Sequence, residues 1–234
     1  MGRKKAIRLT EIQQKDNVLV PEKRLLERTD NSYNQDFFKN ENPVILELGC
    51  GKGEYTVGLA SRFADKNFVG IDVKGERIWV GSMLADEKKL GNVAFIRTEI
   101  QLLENFFAPQ QISEIWIPFP DPQPKDRNEK HRLTHVKYLN LYKKLLVPNG
   151  IVHLKTDSQA LFEYTLGVLQ VPGFENIAVE DLEKAPKIKD LHFTFDLYRS
   201  DLQAFHHGIQ TRFESKFLAR KQAIYYLQFR FEVD

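Results

Sequence analysis

The stretch PVILELGCGKGEYTVGLASRFADKNFVGID, residues 43–72, decides the fold. Val44–Leu48 is a short apolar run of the kind that forms a buried strand, and it leads into a glycine-rich turn. In Glu54–Ala64 the apolar residues recur at helical spacing, and Phe68–Asp72 is a second short apolar run. The stretch therefore predicts a strand, a glycine turn, a helix and a second strand.

The same alternation continues to the end of the chain. Further strands are predicted at Val93–Arg97, Ile112–Phe119, Ile151–Thr156, Asn176–Glu180 and Ala223–Phe231, and further helices at Glu76–Leu90, Leu133–Leu146, Gln159–Leu169 and Glu214–Lys221. Residues 181–210 show no pattern that assigns them. Alternating strands and helices predict a parallel sheet covered on both faces. Ligands of such sheets bind at the carboxyl ends of the strands, where the strand order reverses.

The composition is that of an ordinary globular protein, with 42% hydrophobic and 28% charged residues among 234. No run approaches the ~18 apolar residues of a membrane-spanning helix, and the first residues lack the apolar segment of a secretory signal. Cys50 is the single cysteine, which excludes an internal disulfide and a multi-cysteine metal site. We therefore predict a cytoplasmic protein without membrane contact, in which residues 1–42 form a basic N-terminal arm and residues 43–234 form a single domain.

The charge is close to balanced, with a net value of +2 and a pI near 8.5. A dedicated nucleic-acid-binding domain has a pI above about 9, so any polyanion must be held by local patches. Basic side chains concentrate in three stretches, residues 1–28, 121–144 and 211–221. Together these stretches indicate contact with a phosphate backbone.

The glycine turn predicts a ligand pocket. Gly49, Gly51 and Gly53 match neither the dinucleotide fingerprint nor the phosphate-binding P-loop. Asp72 ends the second strand, where a carboxylate can accept the hydroxyls of a ribose. Glu47 places negative charge where a pyrophosphate would sit, which favours a ligand with sulfonium and ammonium groups. The pocket is therefore predicted to take S-adenosylmethionine.

Two further acidic residues follow the third and fourth strands. Glu99 can accept from an adenine amino group, although an acid favoured at a helix start is an equally good interpretation. Asp121 lies in IWIPFPDPQP, residues 115–124, whose prolines make a rigid loop. Guanine N7 gains positive charge as it is methylated, and a carboxylate 4 Å away attracts that charge by ~4 kcal/mol at an effective dielectric constant of 20. Asp121 can supply this field, orient the guanine edge or contact the donor.

The segments LELGCGKGEY, FPDPQPKDRNEKHRLT, HLKTDSQALFEY and TRFESKF together resemble the bacterial tRNA (guanine-N7)-methyltransferases, from about Pro43 to the end of the chain. The resemblance implies a Rossmann-like class I methyltransferase fold of the α/β class. Its seven-stranded sheet is mostly parallel, with helices on both faces and an antiparallel final strand. It also implies methyl transfer from S-adenosylmethionine to N7 of a guanine in the tRNA variable loop.

The resemblance implies roles for individual residues. The donor-binding acids it matches are Glu47, Asp72, Glu99 and Asp121, and the positions that contact tRNA or the base are Lys125, Asp157, Thr211, Arg212, Phe213 and Glu214. Asp121 is the candidate catalytic residue. Gln123 stands where the family commonly has tryptophan, and Asn128, Glu129 and His131 dilute the basic segment that follows. These departures predict weaker neutralisation of tRNA phosphates.

Three other interpretations follow from the residues. His131 and His135 have the spacing of a zinc helix, but Arg132 replaces the expected glutamate, so we predict no metal. Lys155 and Asp157 either form a strand-end ion pair or belong to the site. A small-molecule methyltransferase and a non-catalytic RNA-binding protein on the same fold are the alternative functions. No obligate protein partner is indicated.

Overall fold

The structure is a computed structural model that describes residues 3–20 and 37–233, and side chains from Lys5 onward within those ranges. Eight strands form one sheet in the described chain: β1 (Val18–Leu19), β2 (Val44–Leu48), β3 (Asn67–Asp72), β4 (Val93–Arg97), β5 (Ile112–Pro118), β6 (Leu146–Thr156), β7 (Ile188–Thr194) and β8 (Tyr225–Phe231). Their order is β1-β4-β3-β2-β5-β6-β8-β7. Strands β1 to β6 run parallel to one another, and β8 runs antiparallel to both of its neighbours, β6 and β7.

Six α-helices accompany the sheet over the same residues: α1 (Arg3–Glu11), α2 (Glu54–Ala60), α3 (Gly75–Glu87), α4 (Val136–Leu145), α5 (Gln159–Val168) and α6 (Arg212–Ala219). Successive side chains of a strand point to opposite faces, and the core accordingly divides in two. Ile45 packs with residues of α2 and α3, whereas Leu46 packs with residues of α4 and α5. Helices on both faces and an antiparallel final strand confirm the predicted class I methyltransferase architecture.

Two strands differ from the sequence prediction. The prediction of a strand at Asn176–Glu180 is wrong. The edge strand is instead β7, which lies within residues 181–210, the stretch that no sequence pattern assigned. β7 has no fully buried residue and contains a left-handed residue, Asp190, with a φ of 52°. An exposed, bulged edge strand lacks the apolar alternation by which a strand is recognised. The described sheet has eight strands and not the predicted seven, because the two residues of β1 pair with Phe95 and Ile96 at its other edge.

The N-terminal segment packs against the domain where it is described. Ile12 is buried, and α1 is joined to α3 by an ion pair of 3.1 Å between Lys5 and Glu76. Lys15 and Asp86 form a second ion pair of 2.6 Å. The division of the chain at residue 42 stays a prediction, and the basic residues Lys23, Arg24 and Arg28 lie outside the described residues.

The sheet positions a site at its centre. β2 lies between β3 and β5, which extend the sheet in opposite directions, so the strand order reverses at β2. The carboxyl ends of β2, β3 and β5 meet there, which is where ligands bind in this kind of sheet. Within residues 3–20 and 37–233, no helix combines the length and the apolar character needed to cross a membrane.

Candidate active site

A cavity of about 320 Å³ opens at the carboxyl ends of β2 and β5, beneath the first turn of α6. Its lining comprises Glu47, Gly49, Cys50, Gly51, Lys52, Glu54, Tyr55, Arg77, Pro118, Phe119, Thr211, Arg212, Phe213 and Lys216. The structure thus joins the glycine turn, the proline loop and the TRFE segment, which are far apart in sequence. Of the predicted site residues, Gly53, Asp72, Glu99, Asp121, Lys125, Asp157 and Glu214 lie outside this lining.

The three glycines of the turn all have left-handed backbone, with φ of 72° at Gly49, 55° at Gly51 and 69° at Gly53. Side chains strain such a conformation, which explains the glycines. A Cβ added at Gly49 would meet no atom within 4 Å, so the turn leaves open space at its cavity edge. The turn is fixed from below, because Gly49 and Cys50 each donate to the carbonyl of Ile71 at 2.9 Å.

Glu47 lies on the floor of the cavity and is only 4% exposed. Its Oε2 accepts hydrogen bonds from the backbone N–H of Thr56, at 2.7 Å, and from the Thr56 hydroxyl. Burial raises the pKa of Glu47 from its ordinary value to about 8, against the lowering effect of these two bonds. The side chain is therefore mostly protonated near neutral pH, which corrects the expectation of a fixed negative charge at this position.

The raised pKa predicts a stability change with pH that Glu47→Gln removes. Between pH 4.5 and about 8 the folded protein keeps a proton on Glu47 that the unfolded chain releases, so folding stability falls as the pH rises through this window. The substituted glutamine cannot titrate, and its carbonyl can accept both bonds from Thr56. We expect the variant to gain stability relative to the unaltered chain by up to about 1.4 kcal/mol per pH unit in this window. Urea unfolding at several pH values measures this.

Glu99→Gln is the matched control, because Glu99 is an exposed glutamate just beyond the carboxyl end of β4, at the same edge of the sheet. A pH dependence that is the same in Glu47→Gln and in the unaltered chain would show that Glu47 is ionised in the folded protein.

Asp72 and Glu99 stand at neighbouring strand ends. Asp72 is half-buried; its Oδ2 accepts from Gly51 N–H at 2.8 Å and its Oδ1 accepts from Lys74 N–H at 2.8 Å. Each carboxylate oxygen can accept two bonds, so each retains capacity for a ligand hydroxyl. Glu99 is exposed and precedes the 3-10 helix Ile100–Asn105 without capping it through its side chain.

The proline loop carries backbone strain. Phe119 and Gln123 have left-handed φ of 52° and 47°, a conformation that is costly for bulky side chains. The Phe119 N–H donates to the carbonyl of Lys155 at 2.7 Å, which holds the loop on β6. Asp121 lies between the two strained residues, is exposed, and accepts from Gln123 N–H at 3.2 Å. The loop therefore presents the Asp121 carboxylate toward solvent, two residues beyond the cavity-lining Phe119.

The TRFE segment forms the N-terminus of α6 through a capping box. The Glu214 N–H donates to the Thr211 hydroxyl at 3.2 Å, and the Thr211 N–H donates to Glu214 Oε2 at 3.3 Å. Glu214 is fully buried, so in this conformation its side chain is out of reach of a base. Its contact with the guanine stays a prediction. Thr211 is half-buried, whereas Arg212 and Phe213 are exposed.

Lys155 pairs with Glu214 and not with Asp157. Its Nζ lies 2.7 Å from Glu214 Oε1, and both side chains are fully buried. Burial lowers the pKa of Lys155, and the Glu214 charge opposes this shift. Asp157 instead accepts from the side chain of Gln222, at 3.3 Å through its carbonyl and 3.4 Å through Oδ2. Of the two alternatives for Lys155 and Asp157, the strand-end ion pair between them is therefore excluded.

Comparison with known proteins extends these observations. The family described as "Putative methyltransferase" matches residues 41–227. The tRNA (guanine-N(7)-)-methyltransferase of Cytophaga hutchinsonii is 44% identical over 231 residues, covering 99% of each chain. The enzyme of the same name from Brevibacillus brevis is 36% identical and covers 80% of each chain. This chain belongs to the tRNA (guanine-N7)-methyltransferase family.

Solved structures support the fold of this methyltransferase. An antibiotic-related methyltransferase aligns with a TM-score of 0.59 at 15% identity, covering 89% of this chain and 98% of the other. The 16S rRNA methyltransferase KamB aligns with a TM-score of 0.58 at 11% identity, covering 89% and 96%. At such low identity, the likeness concerns the fold alone.

The methyltransferase cavity is less acidic than the predicted set of donor-binding acids, Glu47, Asp72, Glu99 and Asp121, indicated. Two carboxyl side chains, Glu47 and Glu54, line it together with four cationic ones, Lys52, Arg77, Arg212 and Lys216. S-adenosylmethionine carries a carboxylate as well as cationic groups, so a cavity of both signs fits it. The open edge at the glycine turn and the free lone pairs of Asp72 also fit the donor.

Among the described residues no group of three or more histidine, cysteine or acidic side chains is arranged to hold a metal ion. The two histidines with zinc-helix spacing, His131 and His135, have different surroundings. His135 is buried at the N-terminus of α4, where its Nδ1 accepts from Lys137 N–H at 3.1 Å, and His131 is exposed.

Sequence reasoning missed Thr56 and the partnership of Lys155 with Glu214. No local signal connects Thr56 with Glu47, because the contact depends on how α2 returns over β2. A signal for the capping box was present, since Thr-x-x-Glu before a helical segment is its signature. A lysine within the apolar strand Ile151–Thr156 was also a signal, because a buried cation requires a partner.

Proposed function

We propose that this chain transfers the methyl group of S-adenosylmethionine to N7 of a guanine in the variable loop of tRNA. The observation that carries the proposal is the 44% identity, over 99% of both chains, to a relative named for this reaction. The cavity at the strand-order reversal supports it, because the glycine turn and the proline loop meet there. The donor, when bound, supplies an electrophilic methyl group.

The residues of the chain act by binding and orientation. Asp72 accepts the ribose hydroxyls of the donor, Glu47 and Glu99 contact its other polar groups, and Gly49, Gly51 and Gly53 form the turn beneath it. Guanine N7 already has a free lone pair, so no general base is required. Asp121 stabilises the positive charge that develops on the base, and most of the acceleration comes from positioning.

The tRNA is held by the basic rim. Lys125 contacts phosphate, and Asp157 with the Thr211–Phe213 segment orients the guanine. Lys125 and Arg212 are exposed, as electrostatic attraction to a polyanion requires. The chain needs no metal or obligate protein partner and acts in the cytoplasm.

The decisive experiment incubates purified protein with tRNA and labelled S-adenosylmethionine and then maps 7-methylguanosine by borohydride–aniline cleavage. Cleavage in the variable loop is expected. Label transfer to a small acceptor but not to tRNA would favour a small-molecule methyltransferase. Retention of tRNA without consumption of donor would identify a non-catalytic RNA-binding protein.

Lys125→Ala is expected to weaken tRNA binding and make it less sensitive to salt. Each phosphate contact contributes about 0.9 to the slope of log affinity against log salt, so the loss of one contact lowers the slope by about 1. Filter binding across a series of salt concentrations measures it. Lys88→Ala is the matched control, because Lys88 is exposed at the C-terminus of α3, away from the cavity. If log affinity falls with log salt equally steeply in Lys125→Ala and Lys88→Ala, Lys125 does not contact a tRNA phosphate.

A further inference from the structure

The ion pair between Lys155 and Glu214 has no role in the mechanism above. Both side chains are fully buried, and Nζ lies 2.7 Å from Oε1. Transfer of two charges out of water costs several kcal/mol per ion, so a buried pair rarely adds net stability. Buried pairs are better known for fixing one arrangement among several.

The lysine end of this pair lies beneath two residues that line the cavity, Tyr55 and Phe119. Lys155 stands near the carboxyl end of β6, in register with Pro118 of β5 and Tyr226 of β8. Its Nζ lies 5.1 Å from the ring centre of Tyr55 and 5.8 Å from that of Phe119, and both rings line the cavity. The cation is thus held by the rigid centre of the sheet.

The glutamate end of the pair lies behind the first turn of α6, whose residues line the cavity. Glu214 Oε1 also accepts from the Tyr198 hydroxyl at 2.9 Å, and Oε2 closes the capping box with Thr211. The residue after Thr211, Arg212, donates its N–H to Glu54 Oε2 at 2.8 Å. The contacts of Glu214 therefore hold the start of the segment Thr211–Phe213, which lines the cavity beside the glycine turn.

We propose that Lys155 is a positioning residue that holds Thr211–Phe213 against the cavity through Glu214. The lysine itself meets neither donor nor base, because it is enclosed below Tyr55 and Phe119. Its charge fixes the Glu214 carboxylate, the carboxylate fixes the first turn of α6, and that turn sets the width of the cavity. Which ligand the segment Thr211–Phe213 contacts rests on the proposed function. That Lys155 holds the segment in place through Glu214 does not depend on it.

The test compares Lys155→Met/Glu214→Gln with the unaltered chain. Lys155→Met alone leaves a buried unpaired carboxylate and risks unfolding. The double variant removes both charges, while the glutamine that replaces Glu214 can still accept from the Thr211 N–H through its carbonyl oxygen and can donate its amide NH2 to the Tyr198 hydroxyl. Tyr198→Phe is a milder variant that removes one bond to Glu214 and keeps both charges. Lys144→Met is the matched control, because Lys144 forms an exposed ion pair with Glu104.

Amide hydrogen exchange without ligand is the first measurement. We expect exchange in residues 211–213 to be at least about 10-fold faster in the double variant and about 3-fold faster in Tyr198→Phe. Exchange in the central strands should not change in either variant. Exchange in Lys144→Met should match that of the unaltered chain. Unchanged exchange at residues 211–213 in the folded double variant would overturn the proposal, whether or not the protein methylates tRNA.

Calorimetric titration with S-adenosylmethionine is the second measurement. The double variant should bind the donor about 10-fold more weakly, and its kcat for tRNA methylation should fall as well, because the same segment orients the guanine. Equal donor affinity in a folded double variant would show that the pair is merely structural. Failure of the unaltered chain to methylate tRNA would contradict the proposed function and leave the exchange result to decide this inference.

Discussion

Asp121→Asn is expected to lower kcat for tRNA methylation about 100-fold, which corresponds to about 2.7 kcal/mol of transition-state stabilisation. The attraction between Asp121 and a cationic guanine is worth ~4 kcal/mol at 4 Å with an effective dielectric constant of 20, but ~1 kcal/mol in bulk water. Asp121 is exposed in this structure. The size of the effect therefore measures how far the bound tRNA excludes water from the proline loop.

Asparagine preserves the loop, because its Oδ1 can still accept from Gln123 N–H as Asp121 does at 3.2 Å. Single-turnover methylation at saturating tRNA gives the rate, and circular dichroism checks the fold. Asp126→Asn is the matched control, since Asp126 is an exposed carboxylate in the same basic segment. A rate for Asp121→Asn within about 3-fold of the unaltered enzyme would exclude Asp121 from the chemical step.

Gly53→Ala is expected to destabilise the protein by about 2–5 kcal/mol, the sum of left-handed strain and overpacking. The added Cβ would lie 2.7 and 2.8 Å from the ring of Phe95 and 3.0 Å from the Cα of Gly81. The ring has little room to move aside, because it also packs closely on the backbone of Gly70 and Gly81, where an added Cβ would lie within 2.9 Å of it. Phe95 thus occupies a slot made by three glycines.

Gly51→Ala is the matched control for this effect. Gly51 has a similar left-handed φ of 55°, but its added Cβ would only reach the carbonyl oxygen of Gly49 at 4.0 Å. Only the conformational strain of about 1–2 kcal/mol applies there. Urea unfolding of both variants gives the comparison. Equal losses of stability would show that the Phe95 slot relaxes and that strain alone governs the turn.

The sequence predicted those features of the site that depend on residues close together in the chain, and it missed those that depend on contacts between distant residues. Asp72 and Asp121 were placed correctly at the ends of strands, because apolar runs and prolines are local signals. The charge state of Glu47 was predicted wrongly, since burial and the contact with Thr56 arise only when α2 packs on the sheet. The three glycines of the turn looked equivalent, although among them Gly53 alone abuts Phe95.

The same distinction holds for the fold. By itself the sequence determined the alternation of strands and helices and the glycine turn, and it carried the signature of the capping box, which was not predicted, because all of these depend on residues close together in the chain. Only the tertiary structure decided that β1 and β7 complete the sheet edges and that Lys155 meets Glu214. Their partners lie far away along the chain, and burial, which gives such pairs their energies, exists only after the elements have packed.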